Sequence, residues 1–260
     1  MHKTLNGDET GLVAYYHFDH LSGTALSDRT TNDNDGTLTS MTDADWVAST
    51  APIGNGTMQS QNDVRAIWTG GSTTAGPSGL IIANSSFLQD TGDDMVFGHN
   101  NLTGNATSDL PTGGDWDAGN GQRWTRVWYL DKSDVNSNGG NVDITFDFSD
   151  GGMSGTLGGA AVNYRLLERS GDSGPFADIT SASSISGDQV IFSGVSSNEL
   201  GSCYTLGTVD KDASPTAVTL PNFRTRTGPG TQLLPTAAFL GVIIGLVSLV
   251  WRWRRRRDHR

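Results

Sequence analysis

Residues 142–148 read Val-Asp-Ile-Thr-Phe-Asp-Phe, and this short run decides the fold class. Val142, Ile144, Phe146 and Phe148 alternate with Asp143, Thr145 and Asp147, the period of two shown by a β-strand that buries one face and wets the other. The preceding run, residues 122–130 (QRWTRVWYL), is aromatic and reads as a second strand. The stretch DKSDVNSNGG between them is rich in Asn, Asp and Gly, so the two strands are expected to form a hairpin at the centre of the domain. Outward from this pair, residues 80–100 (LIIANSSFLQDTGDDMVFGHN) give two strands about an acidic turn at Asp90, Asp93 and Asp94. Residues 164–169 (YRLLER), 188–192 (DQVIF) and 202–206 (SCYTL) supply three more, spaced by Gly and Ser turns. Seven short strands without helical periodicity imply an all-β, antiparallel β-sandwich of Greek-key type over residues 80–208.

The flanks read differently. In residues 1–55, Val13, Tyr15 and His17 alternate with Ala14, Tyr16 and Phe18 as a strand would, and Asn32-Asp33-Asn34-Asp35-Gly36 is a turn before a short strand at 37–39. Residues 56–79 are polar and rich in Gly and Thr, a linker with one apolar knot at Val64, Ile67 and Trp68. Residues 209–230 form a Pro-, Thr- and Gly-containing spacer. Residues 231–251 (TQLLPTAAFLGVIIGLVSLVW) carry no charge, and as a helix about 20 residues cross a hydrocarbon core of roughly 30 Å. Leu233, Leu234, Phe239, Ile243, Val250 and Trp251 would lie along that span. Arg252, Arg254, Arg255, Arg256 and Arg257 follow at once in the tail 252–260, and basic flanks favour the cytoplasmic side. The expectation is a cell-membrane protein with a single span and the bulk of the chain outside. A buried core helix, the competing account of the run, would rarely end in a bare Arg block. Residues 1–10 (MHKTLNGDET) have no apolar signal core, so the chain is expected to be the C-terminal piece of a longer precursor rather than one inserted tail-first.

Charge sharpens the division. Of 17 basic and 28 acidic residues, the tail holds six Arg and Asp258, which leaves −16 on the rest of the chain and +5 on the tail. Phosphate backbones demand Lys and Arg on the binding face, so nucleic acid is excluded as a partner. Nearly all the acid is Asp, with Glu only at Glu9, Glu168 and Glu199. The single Cys203 excludes an intramolecular disulfide, and core burial must hold the domain.

Two resemblances follow from these residues. The segments GLVAYYHFD, DNDGTL and WVASTAPIG within the first 55 residues resemble the last strands of the laminin-G-like jelly roll of bacterial surface proteins. That family implies a two-sheet sandwich of concanavalin or pentraxin style, binding carbohydrate or protein and sometimes calcium. The run SFLQDTGDDMVFGHN, RWTRVWYLD, VDITFDFSD, YRLLERSG and YTLGT resembles an uncharacterised immunoglobulin-like sandwich that follows such repeats near the C-terminus of large bacterial surface proteins. It implies a fold and a place in a large protein, and it transfers no activity. The order of spacer, apolar run and Arg cluster resembles C-terminal sorting tails, with cleavage near Pro235 as the alternative to retention as an anchor.

Candidate chemistry is sparse. Asp134, Asn136, Asn138 and Gly139 fit the opening of a calcium loop, yet its twelfth position is Thr145 where a bidentate Glu is required. A looser calcium site with Asp131 and Asp143 competes with a plain Asx and Gly loop, and the turn at Asp90, Asp93 and Asp94 stands in the same position. Asp33, Asp35, His17 and His20 would be ligands near the N-terminus, against turn and strand roles. Trp116, Trp124 and Trp128 raise the question of sugar stacking, with Trp124, Arg126 and Trp128 on one strand face, against burial in the core. Paired carboxylates for glycoside hydrolysis find no match in three scattered Glu, and His99 beside Asp93 has no nucleophile elbow to serve. Cys203 reads as a buried thiol. The expectation is a non-enzymatic surface protein whose sandwich is a membrane-proximal stalk displaying adhesive or carbohydrate-binding repeats, without a cofactor unless calcium and with the membrane and carbohydrate or another surface protein as partners. The alternatives are that the sandwich itself binds carbohydrate or protein, with or without calcium, and, last, an enzyme of polysaccharide metabolism.

Overall fold

The computed structural model describes residues 2–20, 22–76, 78–153, 157–214 and 216. The expected span 231–251, the basic tail 252–260 and most of the spacer lie outside the described residues. Among the described residues no helix is long and apolar enough to cross a membrane.

In chain order, β1 (Ala25–Leu26) and β2 (Gly36–Thr37) pair as a small ribbon. There follow β3 (Asn62–Trp68), β4 (Thr74–Ala75), β5 (Leu80–Asn84), β6 (Asp94–His99), β7 (Asn105–Ala106) and β8 (Gln122–Trp124). Then come β9 (Trp128–Ser133), β10 (Asn141–Asp147), β11 (Tyr164–Arg169), β12 (Ala177–Ser181), β13 (Ser184–Ser186), β14 (Gln189–Ser196) and β15 (Cys203–Thr208). One sheet runs β13-β14-β10-β5-β4 and the other β12-β11-β15-β9-β6-β3, with β8 paired to β15 and β7 to β8. The all-β, antiparallel sandwich expected from the alternation is present.

Its core follows from that alternation. Val142, Ile144, Phe146 and Phe148 are at most 2% exposed and share one apolar cluster with Met95, Phe97, Trp128, Leu130, Tyr204 and Leu206 of the facing sheet. Each such side chain contributes on the order of 1.5–3 kcal/mol before entropy. β6 and β15 are buried at every position because the larger sheet is covered on its outer face as well. Met58 packs there on Ala66 and Val96, and Trp116 packs with Val127, Leu167, Phe176, Cys203 and Val209.

The expected hairpin between the aromatic run and residues 142–148 does not form. β9 pairs with β6 and β15, whereas β10 pairs with β5 and β14, so residues 134–140 arch from one sheet to the other. The physical reason is burial: a hairpin would set two apolar faces side by side on one sheet. The arch presses them together, with the Trp128 and Phe146 rings 5.4 Å apart. The aromatic run is also interrupted at 125–127, where the Thr125 amide donates to the Gly104 carbonyl at 2.9 Å. Within the stretch read as a linker, β3 is the edge strand beside β6.

Residues 13–18 form no ladder. An Asx knot holds this extended segment instead: Asp28 accepts from the amides of Tyr15, Thr30 and Asn34 at 2.9 Å each and from the Thr30 hydroxyl at 2.8 Å. The Asn32 and Asn34 side chains donate to the Val13 carbonyl.

Before β3 begins, the chain crosses the outer face of the larger sheet lengthwise. A Cβ at Gly92 would lie 3.6 Å from Thr50 Cγ2, the Asn55 amide donates to Asp131 Oδ2 at 2.8 Å, Met58 sits on Val96, and Asn62 pairs with His99. Gly92 and His99 flank β6 at opposite ends, so residues 50–62 span its length. β15 pairs Tyr204 with Trp128 and ends with Thr208 opposite Gln122, at the His99 end. His2 meets the Pro52 carbonyl and the Trp68 ring toward the Gly92 end, Lys3 and Thr4 run on to Gln59 and Gln61 toward the His99 end, and β15 ends at the His99 end.

Candidate functional site

An open cleft lies on the outer face of the larger sheet, beside β11 and β12. Its volume is about 560 Å³, and Pro111–Trp116, Arg165 and Phe176–Asp178 line it. Gly113, at φ 90°, turns the chain into a single 3-10 turn that carries Asp115 and Trp116. The indole reaches its place because Gly121 and Gly207 have no side chains: a Cβ on either would meet the ring at 3.0 Å or less. Trp116 Nε1 then donates to Asp178 Oδ2 at 2.8 Å. Arg165, only 18% exposed, extends one terminal nitrogen to Asp115 Oδ2 at 2.7 Å and the other to within 3.5 Å of Asp178 Oδ2. The result is a rigid Asp–Arg–Asp bridge with an indole pinned to it. Of this group only Trp116 was singled out from the sequence, because 111–116, 165 and 176–178 lie far apart along the chain.

A smaller cleft of about 310 Å³ near the N-terminus is lined by residues 17–20, 25–27 and 29. His17 Nδ1 lies 3.3 Å from Asp19, His20 meets Trp46 in a tilted ring contact at 4.3 Å between centroids, and Arg29 contacts Asp19. Asp33 occupies a left-handed turn position, and Asp35 Oδ1 accepts the Asp28 amide. Burial would raise the Asp28 carboxyl, but the Thr30, Tyr15 and Asn34 amides and the Thr30 hydroxyl outweigh it and hold the group at about 2.

The two expected calcium loops meet at the other end of the sandwich. Asp134 accepts the amides of Asn138 and Gly139, and Asn138 donates to Asp90. Asp93 is fully buried and accepts the amides of Gln89, Asp90 and Val135. Asp131 holds the Asn55 amide, Asp143 holds the Gly194 amide, and Asn136 is exposed in the loop. Most of these carboxylates thus accept backbone amides, of their own loops or of neighbouring segments, and among the described residues no three His, Cys, Asp or Glu side chains converge as a metal site. Asp94 differs. Burial pushes its carboxyl up to about 6, the Ser133 hydroxyl opposes this, and the charges of Asp131 and Asp93 add to it.

Trp124 and Trp128 sit inside, both at 0% exposure with ring centroids 5.7 Å apart, where no sugar can stack on them. They face inward because β9 opposes β10 across the core. Arg126, expected on the same face, turns aside and donates to the carbonyls of Leu102 and Ser78. His99 is 1% exposed and pairs with Asp63 rather than with Asp93. Its Nδ1 accepts the Asn101 amide and its Nε2 faces Asp63 at 3.3 Å, so both ring nitrogens are engaged and neither is left to act as a base. Burial, joined by the Arg126 charge, lowers the imidazole against the pull of Asp63. Cys203 is buried in β15, and burial raises its thiol above the ordinary range, which disfavours the reactive thiolate.

Set against protein-family models, curated proteins and solved structures, the chain finds no match in any of the three comparisons.

Proposed function

We propose that this chain is a non-enzymatic, membrane-anchored surface protein whose immunoglobulin-like sandwich acts as a stalk for adhesive or carbohydrate-binding repeats. In this reading residues 1–55 are the closing part of a laminin-G-like jelly roll. Residues 231–251 span the cell membrane and Arg252–Arg257 lie on its cytoplasmic side. The observation that carries the stalk reading is the path of the chain: His2 meets Trp68, the partner of Asp94, at the Gly92 end, and β15 ends with Thr208 at the His99 end. A spacer must transmit position from one neighbour to the next, and opposite attachment points add the length of the domain, about 3.3 Å per strand residue, to the reach of the chain. The acidic composition of the chain ahead of the tail accords with it.

The test is labelling with a membrane-impermeant maleimide in the cell that makes the protein. Asn136→Cys lies in an exposed loop, His259→Cys in the tail, and buried Cys203 stays silent in the native fold. Labelling of Asn136→Cys on intact cells, with His259→Cys reacting only after permeabilisation, is the expected result. An Asn136→Cys protein that reacts only after permeabilisation would overturn the reading.

A further inference from the structure

We propose that the cleft between residues 111–116 and Arg165–Asp178 is a binding site for a neutral polyhydroxylated ligand, a carbohydrate. The inference goes beyond the stalk reading, which stands whichever way the test below falls. The first argument is the form of the site. At about 560 Å³ it lies within the roughly 300–1,000 Å³ of small-ligand clefts. Its base is Trp116 and Phe176, both under 10% exposed, so the walls cannot collapse by side-chain rotation.

The second argument is charge. Asp115 and Asp178 outnumber Arg165, so the cleft carries a net negative charge and repels phosphate, sulfate and acidic polymers. The Arg165 guanidinium already occupies the space between the carboxylates, where a metal ion would have to sit. What fits is a ligand whose groups both donate and accept.

The third argument is the hydrogen-bond pattern. Asp115 and Asp178 each use Oδ2 within the bridge, and Oδ1 of each has no protein partner among the described residues. Two acceptors beside guanidinium donors held by the bridge suit hydroxyl groups, each of which gives one proton and takes one. The rotamer entropy of Arg165 is lost on folding rather than on binding, so ordering the site costs the ligand little. Asp115 is 68% exposed at its side chain and stands at the mouth, while Asp178, at 23%, stands deeper. This gradation admits the edge of a sugar ring, with Pro111 and Ala177 supplying apolar surface for its C–H face.

The experiment uses the full chain in detergent micelles and the Trp116 indole N–H resonance, assigned with Trp116→Phe. The probes are glucose, galactose, mannose and N-acetylglucosamine, each free and as its β-linked oligosaccharides, so that the free-sugar and polymer sources are told apart. At least one probe should shift the indole signal on titration. Asp115→Ala should weaken that binding at least about tenfold, the loss expected for a charged hydrogen bond, with an unchanged melting temperature because Asp115 is exposed. Asp178→Asn, which keeps an oxygen for the indole, should weaken it as well. The proposal is overturned if none of the sugars moves the Trp116 signal, or if Asp115→Ala and Asp178→Asn both bind as the wild type does. It is equally overturned if an oligolysine peptide shifts the signal where sugars do not, which would make the occupant a cationic chain.

Discussion

Replacing Asp94 by Asn should stabilise the protein at neutral pH and leave it unchanged in acid. Asp94 opens β6, is 8% exposed, and feels both the loss of water and the charges of Asp131 and Asp93, so its carboxyl titrates at about 6 rather than 3.8. A carboxyl raised on folding takes up its proton in the native state before the unfolded chain does. Its contribution is therefore fully present below 3.8 and is lost as pH rises through about 6. The interval corresponds to about 3 kcal/mol when converted in full, and to about 1–3 kcal/mol once water and side chains around the loop relax. Asn has the same shape, keeps an oxygen toward the Ser133 hydroxyl and carries no charge. Asp94→Asn should then raise the melting temperature by roughly 2–10 °C near pH 7.5. The assay is thermal unfolding of both proteins in steps from about pH 4 to 8, read as mutant minus wild type so that other titrating groups cancel. A mutant no more stable than wild type near pH 7.5, or a difference that stays flat across the range, would refute the reasoning.

Three further outcomes are expected. Asp28→Ala removes the bond that ties Tyr15 to the turn at 28–34 and three more that hold the turn itself, so limited proteolysis should cut there first while the melting temperature of the sandwich holds. Because the Asp28 carboxyl is lowered to about 2, its stabilisation is present above the ordinary carboxylate range and lost as pH falls through about 2, so this knot should resist digestion by an acid protease near pH 3. Gly140 has φ +117°, and a Cβ there would run into the Ser86 carbonyl, so Gly140→Ala should cost about 1–3 kcal/mol in chemical denaturation. The Cys203 thiol, 1% exposed and raised by burial, should react with a neutral-pH thiol reagent only as fast as the protein unfolds, as followed by mass spectrometry.

The parts of this fold that were legible share one property: they depend on a single strand. The alternation of residues 142–148 states which side chains go inward, and Val142, Ile144, Phe146 and Phe148 do so. It does not state which neighbour takes the backbone hydrogen bonds, so a hairpin and an arch between β9 and β10 read alike. Period two likewise puts Trp124 and Trp128 on one face without saying whether that face meets water, and only the opposing β10 decides. β3 was hidden because Asn62, Asp63 and Arg65 lie on an edge strand with its outer side partly wet, and Asp63 occupies a positive-φ bulge. The cleft was illegible for a different reason: Asp115, Arg165 and Asp178 each look like ordinary surface charges. Only the pairing of β11 with β12, together with the turn at Gly113, brings them within 4 Å of each other.

The same geometry explains a composition that looked functional. A chain with one Cys has no disulfide to pin its many loops, and those loops still carry backbone amides that must be satisfied. Asp is suited to this, because its short side chain reaches nearby amides at little entropic cost, although Glu9 accepts the Asn6 and Gly7 amides in the same way. Asp28, Asp93, Asp134 and Asp147 each accept at least two backbone or side-chain donors from their own turns. The preference for Asp over Glu is thus a structural device for fixing turns. Asp115 and Asp178 stand apart from that pattern. Their Oδ2 atoms hold an arginine and an indole rather than a turn, and their Oδ1 atoms have no protein partner among the described residues, which is what sets the cleft apart from the acid-rich loops.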